Sequence, residues 1–371
     1  MKIIVAFDSF KGTIRALPAC QIVKDALLSV RPDLQVLCLP MADGGEGTAE
    51  IMLHNRGGQW IPKTVTGPFE QMQVRAGYAR LGDDTALVEM ASASGLELLT
   101  RKQMNPLETT TYGTGELIRD AVEQGVRKIY LAVGGSATVD GGVGAASALG
   151  WRFLNRAGRP VGPVGGELSH IHKILKPSEL PQVPIEVLCD VTNPLCGPAG
   201  AARIYGPQKG ASPEAVEILE HGLFHLAELI RKQLGKEVQD LPGAGAAGGL
   251  AAGAVAFLNA SIVSGIDTIL QQSRFAEQAQ DADWIITGEG SFDSQSLYGK
   301  VISGVLKAAQ RTHAKAAVLA GQISISPDLC RQHGIQLATA CRKKDMPLDY
   351  ALENAESLLS KAAEEIAGKL T

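Results

Sequence analysis

One repeated pattern constrains the fold of this chain more than any other feature. A short apolar run is followed by a polar turn rich in glycine and then by a helical stretch. Ile3–Phe7 and Leu34–Leu39 are such runs near the N-terminus, and Asp283–Thr287, Ala316–Ala320 and Ile335–Ala340 repeat them near the C-terminus. Continuous apolar runs of this length are typical of strands covered on both faces. We therefore predict one parallel sheet of about five strands built from both chain ends.

The middle of the chain has a different character and is expected to form an insertion. Met72–Tyr78 and Thr85–Met90 predict an antiparallel hairpin, so the inserted part should contain a mixed sheet. At 371 residues the chain is also long for one domain. We expect one α/β domain from residues 1–62 plus 280–371, and a second, inserted α/β domain from residues 63–279.

Composition excludes several classes of partner. The chain has a net charge of -4 and no basic run, which argues against binding to nucleic acid or to an anionic membrane. Its six cysteines are far apart, so neither a zinc site nor a disulfide scaffold is indicated. Ala244–Val263 is uncharged but too weakly apolar to insert well, and we expect a closely packed buried helix there. The N-terminal apolar run is too short for a signal peptide, so we expect a cytoplasmic protein.

A glycine-rich turn in the inserted part has the features of an anion site. It follows the apolar run Ile129–Val133 and precedes an Ala-rich helix. Glycines let the backbone approach a ligand, and the N-terminus of a helix favours negative charge. We therefore expect this turn to contact phosphate through six residues: Gly134, Gly135, Ser136, Asp140, Gly141 and Gly142.

Polar residues also follow the other apolar runs. They include Asp8, Ser9, Lys11, Asp43, Asp190, Asn193, Glu289 and Asp293, with Lys209 and Lys300 farther along the chain. Ligands of open parallel sheets bind where strands end, and phosphoryl transfer requires acids, lysines and anion-binding turns in one place. Each aspartate could instead cap the helix that follows, which is a common use of aspartate. The recurrence at five strand ends favours phosphoryl transfer.

Two further motifs suggest other chemistry. Gly243–Gly248 has the spacing of a dinucleotide-binding turn, but Pro242 stands where a buried strand should end. His221 and His225 lie four apart on a predicted helix, but the glutamate of a zinc-binding His-Glu-x-x-His motif is missing. An NAD-dependent dehydrogenase is therefore a weaker alternative, and so is a non-catalytic binding protein for small phosphorylated ligands.

Taken together, these motifs resemble those of the glycerate kinase type 1 family. The shared blocks are Phe7–Lys11, Ala42–Gly47, Gly113–Leu117, Gly134–Thr138, Asp140–Gly142, Cys189–Pro194, Tyr205–Gly210, Pro242–Gly249, Thr287–Gly290 and Asp293–Gln295. Small departures occur at Phe7, where the family commonly has Pro, at Ser291, where it commonly has Arg, and at Gln322, where it commonly has Ser.

The resemblance implies two α/β domains, of which the one built from both chain ends is Rossmann-like. It also implies a small-molecule kinase that uses ATP and Mg²⁺ to phosphorylate D-glycerate in a cleft between the domains, with 2-phosphoglycerate favoured over 3-phosphoglycerate. A monomer or homodimer is expected.

Roles for individual residues are carried over as expectations. Catalytic roles fall to Asp8, Lys11, Asp190, Asp293 and Lys300. Substrate contacts fall to Ser9, Asp43, Asn193 and Lys209, and the Mg²⁺ ligands are expected to be Asp293 and Asp190.

Overall fold

The computed structural model describes residues 1–180, 182–297 and 300–370, in which apolar runs form strands and amphipathic segments form helices. The strands are β1 (Lys2–Phe7), β2 (Gln35–Cys38), β3 (Gly58–Thr66), β4 (Gln73–Leu81), β5 (Thr85–Glu89), β6 (Lys128–Ala132), β7 (Arg152–Leu154), β8 (Lys173–Leu175), β9 (Ile185–Leu188), β10 (Ser261–Val263), β11 (Trp284–Gly288), β12 (Ser291–Phe292), β13 (Lys315–Ala320), β14 (Gln322–Ile323) and β15 (Ile335–Ala340). The helices are α1 (Ala16–Val30), α2 (Thr48–Arg56), α3 (Ala91–Ser94), α4 (Tyr112–Glu123), α5 (Val143–Ala148), α6 (Ala201–Tyr205), α7 (Pro213–Leu234), α8 (Leu250–Leu258), α9 (Gly265–Gln272), α10 (Phe275–Ala279), α11 (Val301–Ala309), α12 (Pro327–Gln332), α13 (Leu348–Glu353) and α14 (Ala355–Ala367).

The first of two units comprises Met1–Asp43, Glu50–Arg56 and Ile266–Thr371. Its sheet has five parallel strands in the order β15-β13-β11-β1-β2, as the apolar runs at the two chain ends predict. From β1 the chain continues to β2 on one side, and β11, β13 and β15 follow on the other side. The strand order therefore reverses between β1 and β11, which is where open α/β sheets bind their ligands.

Helices cover both faces of this sheet because successive strand residues point to opposite sides. Ala317 and Leu319 of β13 pack with α1 and α14, in a core that also contains Phe7. Ala316 and Val318 of the same strand pack with α11 and α12. A strand buried on both faces needs a continuous apolar run, which explains the pattern of the sequence.

The second unit comprises Gly44–Ala49 and Gly57–Gly265. Its six-stranded sheet has the order β10-β9-β6-β5-β4-β3. The first four strands of that order are parallel, whereas β4 is antiparallel to both β5 and β3. The fold class expected from the sequence, a parallel-sheet α/β domain with an inserted mixed-sheet α/β domain, is thereby confirmed.

The bounds of the units differ from the expected boundaries at residues 62 and 280. Residue 62 lies inside β3, which pairs along its whole length with β4. Residues 266–279 belong to the first unit, whose α11 packs against Ile266 at Gly304. Within the second unit, the stretch 244–263 forms a turn, α8 and β10 rather than one continuous helix. In the parts of the chain that the structure describes, no helix is long and apolar enough to cross a membrane.

Candidate active site

A cavity of about 360 Å³ lies at the carboxyl edge of the first unit's parallel sheet. The residues that directly follow four neighbouring strands line it: Asp8 after β1, Glu289 after β11, Gly321 after β13 and Cys341 after β15. The cavity also contains Ser9, Lys11, Asp43, Asp293 and Lys300. Six of the residues selected from the sequence are therefore brought together by the strand order.

Asp8 is the most perturbed carboxyl group of this cavity. Its side chain is only 8% exposed. Burial raises the pKa of Asp8 to about 7, and the nearby carboxylates of Asp43 and Glu289 act in the same direction. The backbone N–H of Ser9 donates to Asp8 Oδ1 over 2.6 Å, which opposes the rise only in part. An aspartate of this kind can accept a proton near neutral pH.

Glu289 is one of the acids that follow an apolar run in the sequence, but the sequence alone gives it no specific role in the site. It is 9% exposed, and burial raises the pKa of its carboxyl group, while Lys300 and Lys11 oppose that rise. Among the described residues, Glu289 Oε1 is buried and has no hydrogen-bond partner. A buried carboxylate oxygen without a partner is costly, so it calls for a cation or a donor from a ligand.

Two lysines supply positive charge to the same cavity. Lys11 lies at the tip of a tight turn closed by reciprocal backbone hydrogen bonds between Phe10 and Ile14. Gly12 has a φ of 77° in this turn, a conformation that glycine adopts without strain. Lys300 directly precedes α11, where its backbone N–H donates to Ser303 Oγ. Both lysines are thus held by ordered backbone next to the carboxylates.

The loops that follow β11 and β13 are bound to each other by the short parallel pair β12–β14. Asp293 Oδ1 accepts a hydrogen bond from Ser296 N in this region. Ser291 and Gln322, two positions where the sequence departs from the common family pattern, both line the cavity. Gln322 Nε2 donates to Ser291 Oγ over 3.1 Å, so these two departures contact each other.

The side chain of Asp140 occupies the helix end of the glycine-rich turn in the second unit. The fully buried Asp140 carboxylate accepts hydrogen bonds from the backbone N–H groups of Thr111, Gly142 and Gly144 and from Thr111 Oγ1. Gly141 N donates to Gly248 O. The helix-end donors expected to bind phosphate are therefore occupied by the chain itself.

The buried side chain of Lys209 forms hydrogen bonds with the same turn. It is 2% exposed, and its Nζ donates to Ser136 Oγ over 2.6 Å and to Thr138 O over 2.8 Å. Burial lowers the pKa of Lys209 to about 7, and the nearby Asp140 opposes that change. The contacts of Lys209 stabilise the turn beside Gly134 and Gly135.

Asp190 and Asn193 follow β9 and are also engaged within the second unit. Asp190 Oδ1 accepts from Ser264 Oγ and from Gly265 N. Asn193 Nδ2 donates to Ala199 O, and Asn193 Oδ1 accepts from Tyr205 Oη. Neither residue lines the cavity of the first unit.

The two alternative motifs have structural explanations. The glycines of Gly243–Gly248 allow close packing, since a side chain at Gly245 would overlap Pro194 O and one at Gly248 would overlap Thr138 O. His225 Nε2 contacts Ile171 O. In the described part of the chain, no group of three or more His, Cys, Asp or Glu side chains is arranged to hold a metal ion on its own.

Comparison with known sequences decides the family. The profile of the glycerate kinase family matches residues 3–371. The chain belongs to this family. The resemblance seen in the sequence is confirmed, and the chain is a kinase of the glycerate kinase type.

Similar proteins cover nearly the full length of this glycerate kinase. A glycerate kinase from Halalkalibacterium halodurans is 44% identical over 98% of this chain and 97% of its own length. A glycerate 2-kinase from Escherichia coli K12 is 42% identical over 100% of this chain and 98% of its own length. A crystal structure of a Salmonella typhimurium LT2 protein, provisionally named glycerate kinase 2, is 40% identical with a TM-score of 0.86 and covers 100% of this chain and 98% of its own.

Proposed function

We propose that the chain transfers the terminal phosphoryl group of ATP to D-glycerate in the cavity of the first unit, forming 2-phosphoglycerate and ADP. The observation that carries this proposal is the meeting of Asp8, Glu289, Lys11 and Lys300 at one sheet edge. Phosphoryl transfer needs a base for the attacking hydroxyl group and cations for the moving charge. This cavity contains both.

Asp8 is assigned the role of general base. Its pKa of about 7 makes the ionised form available at neutral pH while leaving it basic enough to accept the hydroxyl proton. The hydroxyl oxygen then attacks the terminal phosphorus, and the bond to the ADP oxygen breaks. Lys11 and Lys300 neutralise the phosphoryl oxygens during this transfer.

The phosphates are assigned to this cavity rather than to the turn Gly134–Gly142. Asp140 accepts hydrogen bonds at the helix end of that turn, which leaves fewer donors for a second anion. Four expectations from the sequence stay predictions. They are the substrate contacts of Asn193 and Lys209, the location of the site in a cleft between domains, the cytoplasmic location, and the monomeric or homodimeric state.

The carboxylates of the cavity fit a Mg²⁺ ion. Glu289 Oε1 has no hydrogen-bond partner among the described residues, and burial together with the nearby carboxylates of Asp43 and Glu289 raises the pKa of Asp8. Mg²⁺ takes only one or two protein carboxylates and completes its shell with water and phosphate oxygens. One or two of the carboxylates of Glu289, Asp43 and Asp293 would hold the ion, whereas Asp190 lies outside this cavity. The ion would supply positive charge that stabilises the phosphoryl oxygens during transfer.

Phosphorylation at carbon 2 is proposed because the similar Escherichia coli protein is a glycerate 2-kinase. A ³¹P NMR time course with ATP, Mg²⁺ and D-glycerate tests both the activity and its position. The phosphate signal of 2-phosphoglycerate is split by the single proton on carbon 2, whereas that of 3-phosphoglycerate is split by two protons. Intact ATP in the presence of folded protein would refute the proposed activity.

A further inference from the structure

The cavity of the first unit changes from charged to apolar along its length. The carboxylates and lysines come from segments that follow β1, β2 and β11 in the chain, whereas the segments after β15 contribute Arg342 and otherwise mainly aliphatic side chains. Leu348, Ala351 and Leu352 of α13 contribute to this lining, followed by Ala355 and Leu358 of α14. Leu348 is 52% exposed and Leu352 is 48% exposed, so two large apolar side chains of the lining face open space.

Glycerate cannot account for this apolar end. It is a three-carbon acid about 5 Å long, and each of its carbons carries an oxygen. The cavity extends from the end of β1 to the end of β15, which is three strand spacings or about 14 Å. A ligand that fills it must have a charged part several ångströms away from an apolar part.

A nucleoside triphosphate has this arrangement, because its charged phosphates are separated by the ribose from a flat purine ring. We propose that Leu348 and Leu352 bind the purine and ribose of the phosphoryl donor, while its phosphates extend along the loops after β13 and β11 to Lys300 and Lys11. This inference rests on the proposed function, because it places the donor in the same cavity. Contact with the flat apolar faces of a purine removes the exposed leucine surface from water and thereby contributes to ATP affinity.

Calorimetric titration of the full chain with ATP and with inorganic tripolyphosphate tests the proposal. Tripolyphosphate has the charges of the donor but lacks the nucleoside. Leu352→Asp should raise the Kd for ATP at least tenfold and change the Kd for tripolyphosphate less than twofold. Leu348→Asp provides a second variant at the same end of the cavity.

Tyr350→Asp is the matched control, because Tyr350 is 52% exposed on the same helix but does not line the cavity. It should leave both dissociation constants unchanged. In steady-state assays, the leucine variants should raise the KM for ATP and leave the KM for D-glycerate unchanged.

Three outcomes would overturn the inference: unchanged ATP binding in both leucine variants, an equal loss of tripolyphosphate binding, or a rise in the KM for D-glycerate alone. Binding is measured without turnover, so the inference and the proposed activity can fail separately. If the leucine variants lose ATP affinity but the wild-type chain forms no phosphoglycerate, only the proposed activity is refuted. If the wild-type chain forms phosphoglycerate and the leucine variants bind ATP with unchanged Kd, only the inference is refuted.

Discussion

Replacing Asp8 with asparagine should make the first unit more stable and the enzyme nearly inactive. Asparagine keeps the size of the side chain and an oxygen that can accept from Ser9 N. It removes the negative charge that is buried next to Asp43 and Glu289. It also removes the proposed general base, and loss of such a group lowers kcat by about 10²- to 10⁴-fold.

The size of the stability gain follows from the pKa of Asp8, which is about 7 in the folded chain and 3.8 for an unperturbed aspartate. Each unit of pKa difference corresponds to about 1.36 kcal/mol. Between these two values the folded state binds more protons than the unfolded state, so its stability falls as the pH rises. Ionised Asp8 therefore lowers the free energy of unfolding by roughly 2 kcal/mol at pH 5 and by about 4 kcal/mol at pH 8. The free energy of unfolding of the Asp8→Asn variant should exceed that of the wild type by these amounts.

Urea unfolding followed by tryptophan fluorescence measures this difference. Trp284 lies on β11 opposite Ile3 of β1, whereas Trp60 and Trp151 belong to the second unit. A background with Trp60→Phe and Trp151→Phe therefore reports on the first unit alone. The measurement is made in EDTA, because a bound cation would relieve the repulsion. A variant that is no more stable than its parent at pH 8, or equally stabilised at pH 5 and pH 8, would refute the reasoning.

The remaining predictions concern one cation of the cavity and two residues of the second unit. Lys300→Ala should lower kcat by about a hundredfold in steady-state assays, because Lys300 lines the cavity. Lys307→Ala, at an exposed position of α11, should leave kcat unchanged. Similar kcat values for the two variants would show that Lys300 has no part in the reaction. In the wild type, the free energy of unfolding should rise between pH 7 and pH 10.5, because the lysine at position 209 is protonated in the unfolded state but not in the folded state over that range. Lys209→Met should abolish this rise. Urea titrations at several pH values test this, and a rise that persists in the variant would contradict the reasoning. Asp140→Ala should lower the free energy of unfolding of the second unit by at least about 2 kcal/mol, because the donors at Thr111, Gly142 and Gly144 lose their acceptor; a loss below about 0.5 kcal/mol would contradict it.

The first unit and its cavity could be predicted from the sequence because the relevant signals are local. Each strand is one apolar run, and Asp8 and Lys11 follow β1 directly. Parallel strands end at the same edge, so the side chains that follow them must converge. Glu289 could have been selected by the same rule, since it directly follows β11.

The state of the second unit's polar residues could not be predicted in this way. Asp140 has the surroundings of a ligand-site residue because its neighbours are glycines, but it accepts a hydrogen bond from Thr111, which is 29 residues earlier in the chain. Lys209 reaches Ser136 across 73 residues. Such partners are set by tertiary packing and leave no local pattern. The apolar part of the cavity was missed for the same reason, since Leu348 and Leu352 lie on a short helix without a motif.

The discontinuous first unit also determines when the proposed catalytic cavity can form during synthesis. β1 pairs on one side with β11, and the whole second unit is translated between these two strands. At about 5–20 residues per second, β1 leaves the ribosome roughly 15 to 55 seconds before its partner. The second unit can fold in that interval, whereas the pairing of β1 with β11 must wait. A nascent chain therefore contains Asp8 and Lys11 long before Glu289 and Lys300 exist, and the proposed catalytic cavity can form only when translation is nearly complete.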